Sequence, residues 1–242
     1  MKKLQTIKTV LAVIVLAALC ACNKTDDPNN GGGNDNGNTY NGHEYVDLGL
    51  PSGTLWATCN VGTTTPEGHG DLFAWGETTP KTTYSWDNYK YGNGHQESWE
   101  DCRVTKYCSQ AEWGYNGFTD NLVFLQAEDD AATANWGNGW MTPTKAQWEE
   151  LLQYTIMHNS SQNNVQGLTL TGANNNSIFI PCYREGPYNQ TVYYWSSTCG
   201  YHSDRSAYTL EIGGGYGNHE YEGYIEGSGR SEGLFIRPVR FK

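Results

Sequence analysis

The shortness of its apolar stretches is what most constrains this chain. Tyr45-Val-Asp-Leu-Gly-Leu50, Thr54-Leu-Trp-Ala57, Asp71-Leu-Phe-Ala-Trp75, Ser177-Ile-Phe-Ile180, Tyr193-Tyr-Trp195, Ala207-Tyr-Thr-Leu-Glu-Ile212 and Gly233-Leu-Phe-Ile-Arg-Pro-Val239 are each bounded by turn-forming residues. Runs this brief, punctuated by Gly, Pro, Asn and Ser, read as short strands joined by long turn-rich loops. With 9 Trp, 17 Tyr and 6 Phe among 242 residues, the chain carries enough ring surface for a core. That excludes a wholly disordered polypeptide, and 29 Gly with few charges exclude a coiled coil. Only two segments read as helices. Thr144-Lys-Ala-Gln147 is a capping box, after which Trp148, Leu151, Leu152 and Ile156 recur at helical spacing. A shorter helix is expected over Glu128 to Asn135, its acids at the positive N-terminal end. The expected class is α+β.

The ends of the chain point outside the cell. Residues 1–22 combine Lys2, Lys3 and Lys8 with an apolar run from Val10 to Ala21, too short for a bilayer span and right for a secretory signal. The run closes in Leu19-Cys20-Ala21-Cys22, which resembles the bacterial lipoprotein signal with Cys22 as the lipidated residue. The alternative is an ordinary secretory signal that happens to hold cysteines. Residues 23–41, rich in Asn, Gly and Asp, read as a flexible tether. Asp26-Asp27 behind Cys22 resembles the acidic export signal of Bacteroidetes surface lipoproteins, or is plain linker chemistry. From Gly42 to Lys242 no second linker occurs, so a single domain is expected.

Charge and motifs narrow the chemistry. A formal net charge of −11 has the wrong sign for nucleic acid. Cys59, Cys102, Cys108, Cys182 and Cys199 are odd in number, with Cys102 and Cys108 near enough in sequence to bridge and no C-x-x-C pair for zinc. His43, His69, His95, His158, His202 and His219 are scattered, and His219-Glu220 has no third partner to make it a base and orienter. No nucleophile elbow, H-E-x-x-H or phosphate loop is present. Glu128, Asp129 and Asp130 offer oxygen ligands for calcium, but helix capping accounts for them without a metal. No cofactor is expected.

Gly139-Trp-Met-Thr-Pro-Thr-Lys-Ala-Gln-Trp-Glu149 resembles the G-W-R-x-P-T-x-A-E-W-E motif of the formylglycine-generating-enzyme branch of C-type lectin-like folds. Tyr194-Trp-Ser-Ser-Thr198 and Gly233-Leu-Phe-Ile-Arg-Pro-Val-Arg240 resemble that group's W-S-S and G-F-R-P-V-R ends. The pattern over Tyr45 to Gly62, Ala74-Trp-Gly-Glu-Thr-Thr79, Thr105-Lys-Tyr-Cys108 and Asp129-Asp-Ala-Ala132 is closer still to the Fibrobacter succinogenes major paralogous domain of Bacteroidetes lipoproteins. The resemblance implies a C-type lectin-like fold. Met141 and Thr142 depart from the motif, and Gly92 stands where such domains often carry Cys. The formylglycine enzymes use cysteines shortly before their end, and none lies between Cys199 and Lys242, so that activity is not carried over and no catalytic residue is expected.

The stretch Cys199 to Arg230 is loop-like in composition, and its Tyr, Ser, Gly, Asn, His and Asp are the vocabulary of antibody combining loops. Tyr201, His202, Ser203, Asp204, Arg205, Tyr208, Tyr216, Asn218, His219, Tyr221 and Tyr224 are the expected ligand-binding residues, exposed on one contiguous face. Trp195, Ala207, Leu210, Ile212, Phe235 and Val239 are expected in the core beneath it. The alternative is a solvated Gly-rich loop without a partner. Lectin-like domains with this W-S-S and R-P-V-R framing are frequent targets of diversity-generating retroelements, so the resemblance also implies a segment open to diversification. The expected function is a lipid-anchored surface protein of the outer membrane that binds an external protein or glycan. A structural envelope protein and an envelope enzyme are the other readings.

Overall fold

Asn41 and Gly42 both take left-handed backbone conformations (φ 48° and 78°), the geometry that an Asn-Gly pair adopts readily in a two-residue hairpin turn. They join β1 (Thr39–Tyr40) to β2 (His43–Asp47), which pairs antiparallel with β3 (Leu55–Ala57). The last strand, β10 (Val239–Arg240), lies against the other side of β3, so the sheet runs β1-β2-β3-β10 and ties the beginning of the fold to its end. In this computed structural model the described residues are 38–182, 191–214 and 221–242. The signal, Cys22 and most of the tether, together with Tyr216, Asn218 and His219, lie outside them. Thr39 and Tyr40 are already in a strand, so folded structure begins before the expected boundary at Gly42.

Two further antiparallel sheets follow. β4 (Thr155–Gln162), β5 (Val165–Gly172) and β6 (Ser177–Pro181) form one meander, and β7 (Val192–Cys199), β8 (Ser206–Gly214) and β9 (Tyr221–Gly229) form the other. The helices are α1 (Ala131–Trp136) and α2 (Lys145–Tyr154). The described part is thus a mixed, strand-rich α+β fold. No helix among the described residues is long and apolar enough to cross a membrane.

The capping box holds. Thr144 Oγ1 accepts from the Gln147 amide, and Gln147 Oε1 accepts from the Thr144 amide. Trp148 and Leu151 are buried and Leu152 packs beside them, but Ile156 is 75% exposed because the helix ends at Tyr154 and the chain continues as a strand. The shorter helix is divided. Ala127–Asp129 is a single 3-10 turn, and α1 starts after Asp130, whose carboxylate caps it by accepting from the Ala132 amide. Asp71 to Trp75 and Gly233 to Ile236 are not strands; they touch through an isolated bridge between Phe73 and Leu234. The largest difference is at the C-terminal end, where the expected strand over Ala207 to Ile212 is part of the longer β8 and the loop-like stretch after it contains a second nine-residue strand, β9.

Two aromatic-rich clusters fill the interior. One brings together α2, β3, β5, β6, β7 and β8 through Trp148, Trp56, Leu168, Ile180, Tyr194 and Leu210. The other lies under the long irregular segment between β3 and α1, around Phe73, Trp75, Tyr89, Tyr107 and Trp195. That segment contains isolated bridges but no extended strand, and indole and phenol groups tie it to itself and to β7 through backbone carbonyls. Trp75 Nε1 donates to Ser196 O (2.8 Å), Trp195 Nε1 to Phe73 O (2.7 Å) and Tyr89 Oη to Trp75 O (2.8 Å).

Candidate functional site

The sheet β7-β8-β9 carries the residues expected to bind ligand, and its register decides where they point. Tyr193 faces Glu211, which faces Tyr224; Trp195 faces Thr209, which faces Glu226. Residues opposite one another share a face, and alternate residues lie on the other. Val192, Tyr194, Leu210, Ile212 and Ile225 therefore turn toward α2, where Leu152 sits against Gly223 and Leu210. On the second face Trp195, Ala207 and Thr209 are buried under the irregular segment, while Glu222, Tyr224 and Glu226 are exposed and Tyr193 and Glu211 half-buried. All six expected core positions, Trp195, Ala207, Leu210, Ile212, Phe235 and Val239, are buried.

The expected binding residues do not share one face. Tyr201 lies on the α2 side, its ring filling the space over Gly227 and meeting Tyr208 edge-on at 5.5 Å. Its hydroxyl donates to Glu226 Oε2 (2.6 Å), and this hydrogen bond is what raises its pKa. Tyr208 is half-buried beneath the ammonium of Lys145 at 5.3 Å. His202 is exposed in a left-handed turn (φ 58°), with its ring 4.2 Å from that of Tyr201. Ser203 is half-buried and shares a hydrogen bond with Ser206. Tyr224 is exposed on the opposite face, hydrogen-bonded to Glu222. Tyr221 contributes backbone pairing with Gly214 at the start of β9.

Asp204 and Arg205 are corrections: both are buried, with 1% and 7% of their surface exposed. A buried charge must be met by donors or acceptors of the fold. Asp204 accepts from the amides of Ser109 and Gln110 (2.8 Å each), from Ser109 Oγ (3.0 Å) and from Cys108 Sγ (3.5 Å). Arg205 is held between the rings of Trp99 and Trp113, 4.7 and 4.2 Å from their centroids, and donates to Trp99 O. Both fasten the start of the hairpin to the irregular segment. Arg230, at its end, is fully buried and does the same.

Sequence reasoning missed Tyr193, Glu211, Glu222 and Glu226. The signal was the alternation in Tyr221-Glu-Gly-Tyr-Ile-Glu-Gly-Ser-Gly229, which places Glu222, Tyr224 and Glu226 on one side of a strand. Burial, then the charges of Glu211, Glu232 and Glu226, raise the Tyr193 pKa, so these carboxylates crowd around one phenol. None of the ion pairs among the described residues involves Glu211, Glu222, Glu226 or Glu232. Next to this face a cleft of about 480 Å³ is lined by His69, Leu72, Tyr193, Leu234 and Phe235.

Comparison with protein-family models, curated proteins and solved structures returned no match.

Elsewhere the polar chemistry serves the fold. Asp129 is buried and meets Lys90 Nζ (2.8 Å), Lys106 Nζ (2.6 Å), Tyr107 Oη (2.7 Å) and the hydroxyl of Tyr91. Burial raises the Asp129 carboxyl, but the hydrogen bonds from Lys106, Lys90, Tyr91 and Tyr107 outweigh it and hold the pKa well below the usual range. Neighbouring Asp130 goes the other way: burial raises it, against hydrogen bonds from Thr142 and the first amides of α1. Environments that push two carboxyls apart are a mark of acid-base pairs. Here, however, the lone pairs of both are occupied by donors of the chain itself. No group of three or more metal-ligating side chains occurs among the described residues. The five cysteines are buried free thiols, Cys102 and Cys108 included. Burial pushes Cys108 and Cys199 up to about 11 and Cys182 to about 12, which keeps them protonated and poorly nucleophilic.

The Asp129 cluster gives a pH test. A carboxyl whose folded pKa is depressed contributes stability above its unfolded pKa, about 4, and loses that contribution as the pH falls below it. Asp129→Asn is expected to cost about 3 kcal/mol at pH 7, since it leaves Lys106 and the two phenols without their charge. The gap between wild type and variant should narrow steadily from pH 4 toward 2 in denaturant titrations. A gap constant over that range would show that the ionised carboxylate contributes nothing.

Proposed function

We propose that this protein is a lipid-anchored surface protein whose C-type lectin-like domain binds an external ligand through the β8–β9 hairpin. The observation that carries this reading is the outer end of β7-β8-β9. Tyr224 and the carboxylates of Glu222 and Glu226, which have no ion-pair partner among the described residues, stand exposed there, with Tyr193, Tyr201 and Tyr208 half-buried, on strands whose other residues lock into two aromatic cores. Exposed Tyr is a rigid amphipathic contact with little side-chain freedom to lose on binding. Scaffold and surface use different residues, as a variable binding surface requires. The resemblance to the Fibrobacter succinogenes major paralogous domain supports the lectin-like topology and the lipoprotein reading of Cys22. The binding set is Tyr201, His202, Ser203, Tyr208, Tyr221 and Tyr224, together with Tyr216, Asn218 and His219, which lie outside the described residues. Asp204 and Arg205 leave it.

Changing Tyr201, His202, Tyr208 and Tyr224 together to Ala is expected to weaken binding on a glycan and surface-protein array by about a hundredfold. The melting temperature should stay within about 5 °C of wild type. Undiminished binding would remove the site. The retroelement part rests on the resemblance and is tested in the surrounding DNA. A reverse-transcriptase gene and an imperfect copy of the 3′ coding region differing at adenines are expected nearby, and finding neither leaves an undiversified binding domain.

A further inference from the structure

We infer that the free edge of β9 is a docking strand for an extended, positively charged polypeptide, an assignment that rests on the binding reading and names its ligand class. β9 ends the sheet: it pairs with β8 over nine consecutive residues, and no described residue pairs with its other edge. Such an edge offers a row of unused backbone donors and acceptors, which natural proteins usually blunt with lysine, proline or a bulge. Tyr221 to Gly229 contains neither Lys nor Pro, and its register with β8 is continuous.

The side chains beside the edge set the charge of the occupant. An added strand places its alternate residues opposite Glu222, Tyr224 and Glu226, with side chains about 5 Å away. On the other face Leu152 and Tyr201 already fill the space over Gly223 and Gly227, so recognition falls to the acidic face. Glu222 and Glu226 each accept from one tyrosine hydroxyl and have no cationic partner among the described ion pairs. Lys or Arg at two positions four apart in the incoming strand supplies the missing charge, with an apolar residue between them against Tyr224. Main-chain hydrogen bonds would give affinity and the alternate cations specificity. A second copy of this chain fits poorly, since each copy carries a net charge of −11. A glycan has no row of amides at strand spacing to meet the edge.

The probe is a labelled decapeptide, Lys-Thr-Val-Thr-Lys-Thr-Val-Thr-Lys-Thr, whose Glu/Thr analogue carries Glu in place of each Lys, titrated by fluorescence anisotropy. Saturable binding is expected, with slowed amide exchange over residues 221–229, and no binding of the Glu/Thr analogue. Strand addition uses one edge of the peptide. N-methylation of one alternate set of its residues should therefore abolish binding, while methylation of the other set is tolerated. The exposed pair Glu222→Lys and Glu226→Lys should weaken binding about tenfold or more at an unchanged melting temperature. No binding of the peptide overturns the inference, as does binding indifferent to both methylations, which is bulk charge attraction. An array on which only glycans are bound also overturns it. If those array signals fall in the four-residue Ala variant, the hairpin remains a binding site and only its ligand class is wrong. If they do not fall, the binding reading itself fails.

Discussion

Arg230→Ala is expected to lower the free energy of unfolding by about 4 kcal/mol or more, the largest effect of any single substitution outside the tryptophans. Arg230 is fully buried and faces no carboxylate. Its charge is met by neutral acceptors: Tyr89 Oη (2.9 Å), Tyr107 O (3.1 Å), Asp204 O (2.7 Å) and Lys106 O (3.0 Å). The guanidinium also stacks 4.7 Å from the centre of the Trp75 ring. Each hydrogen bond to a charged group contributes about 1.5–3 kcal/mol net, and deleting the side chain removes the donor from four acceptors around a buried site. Arg230→Lys should recover little, because one ammonium on a flexible stem cannot reach acceptors spread around a planar fork. Urea denaturation followed by tryptophan fluorescence reads both. A loss below about 1 kcal/mol for the Ala variant would show that the cation's desolvation cancels what the four bonds contribute.

How far the sequence can be read depends on where the physical cause of each feature lies. Helix α2 is legible because its causes are local: Thr144 and Gln147 cap each other, and Trp148 and Leu151 fall on one face. The six core positions around the hairpin are legible for a similar reason, since large apolar residues in a polar stretch have few other uses. Of the hairpin, the run Ala207 to Ile212 marks most of β8, and the hidden strand is β9. β9 is an edge strand with a solvated outer end, so Glu, Gly and Tyr occupy it and lower its apparent strand propensity. Only the period of two in Glu222, Tyr224 and Glu226 marks it. The long segment between β3 and α1 was expected to hold a strand at Asp71 to Trp75. It is instead held by indole and phenol hydrogen bonds to carbonyls far away in sequence, which no local pattern announces. Charged residues are hardest of all. Nothing in the sequence around Asp204, Arg205, Arg230 or Arg237 says that all four are buried, because their partners come from remote turns and aromatic rings.

Asp204→Ala separates a scaffold residue from a binding residue. A paratope role requires lost binding at an unchanged melting temperature. The geometry requires the reverse. The carboxylate takes three hydrogen bonds from the turn at Ser109 and Gln110, and its own carbonyl takes one from Arg230, so one residue pins the hairpin to the turn beside it. Removing the side chain takes the charged acceptor away from two amides and a hydroxyl and empties a buried site, an expected cost of about 3 kcal/mol. In a domain of this size that lowers the melting temperature by about 6–12 °C. Asp204→Asn keeps one acceptor oxygen but turns an amide N–H₂ toward groups that are themselves donors, so an intermediate loss is expected. Ligand binding measured well below the melting transition should be retained in both variants. Wild-type stability with abolished binding would return Asp204 to the combining surface, and the buried carboxylate would then have to come out to meet its ligand.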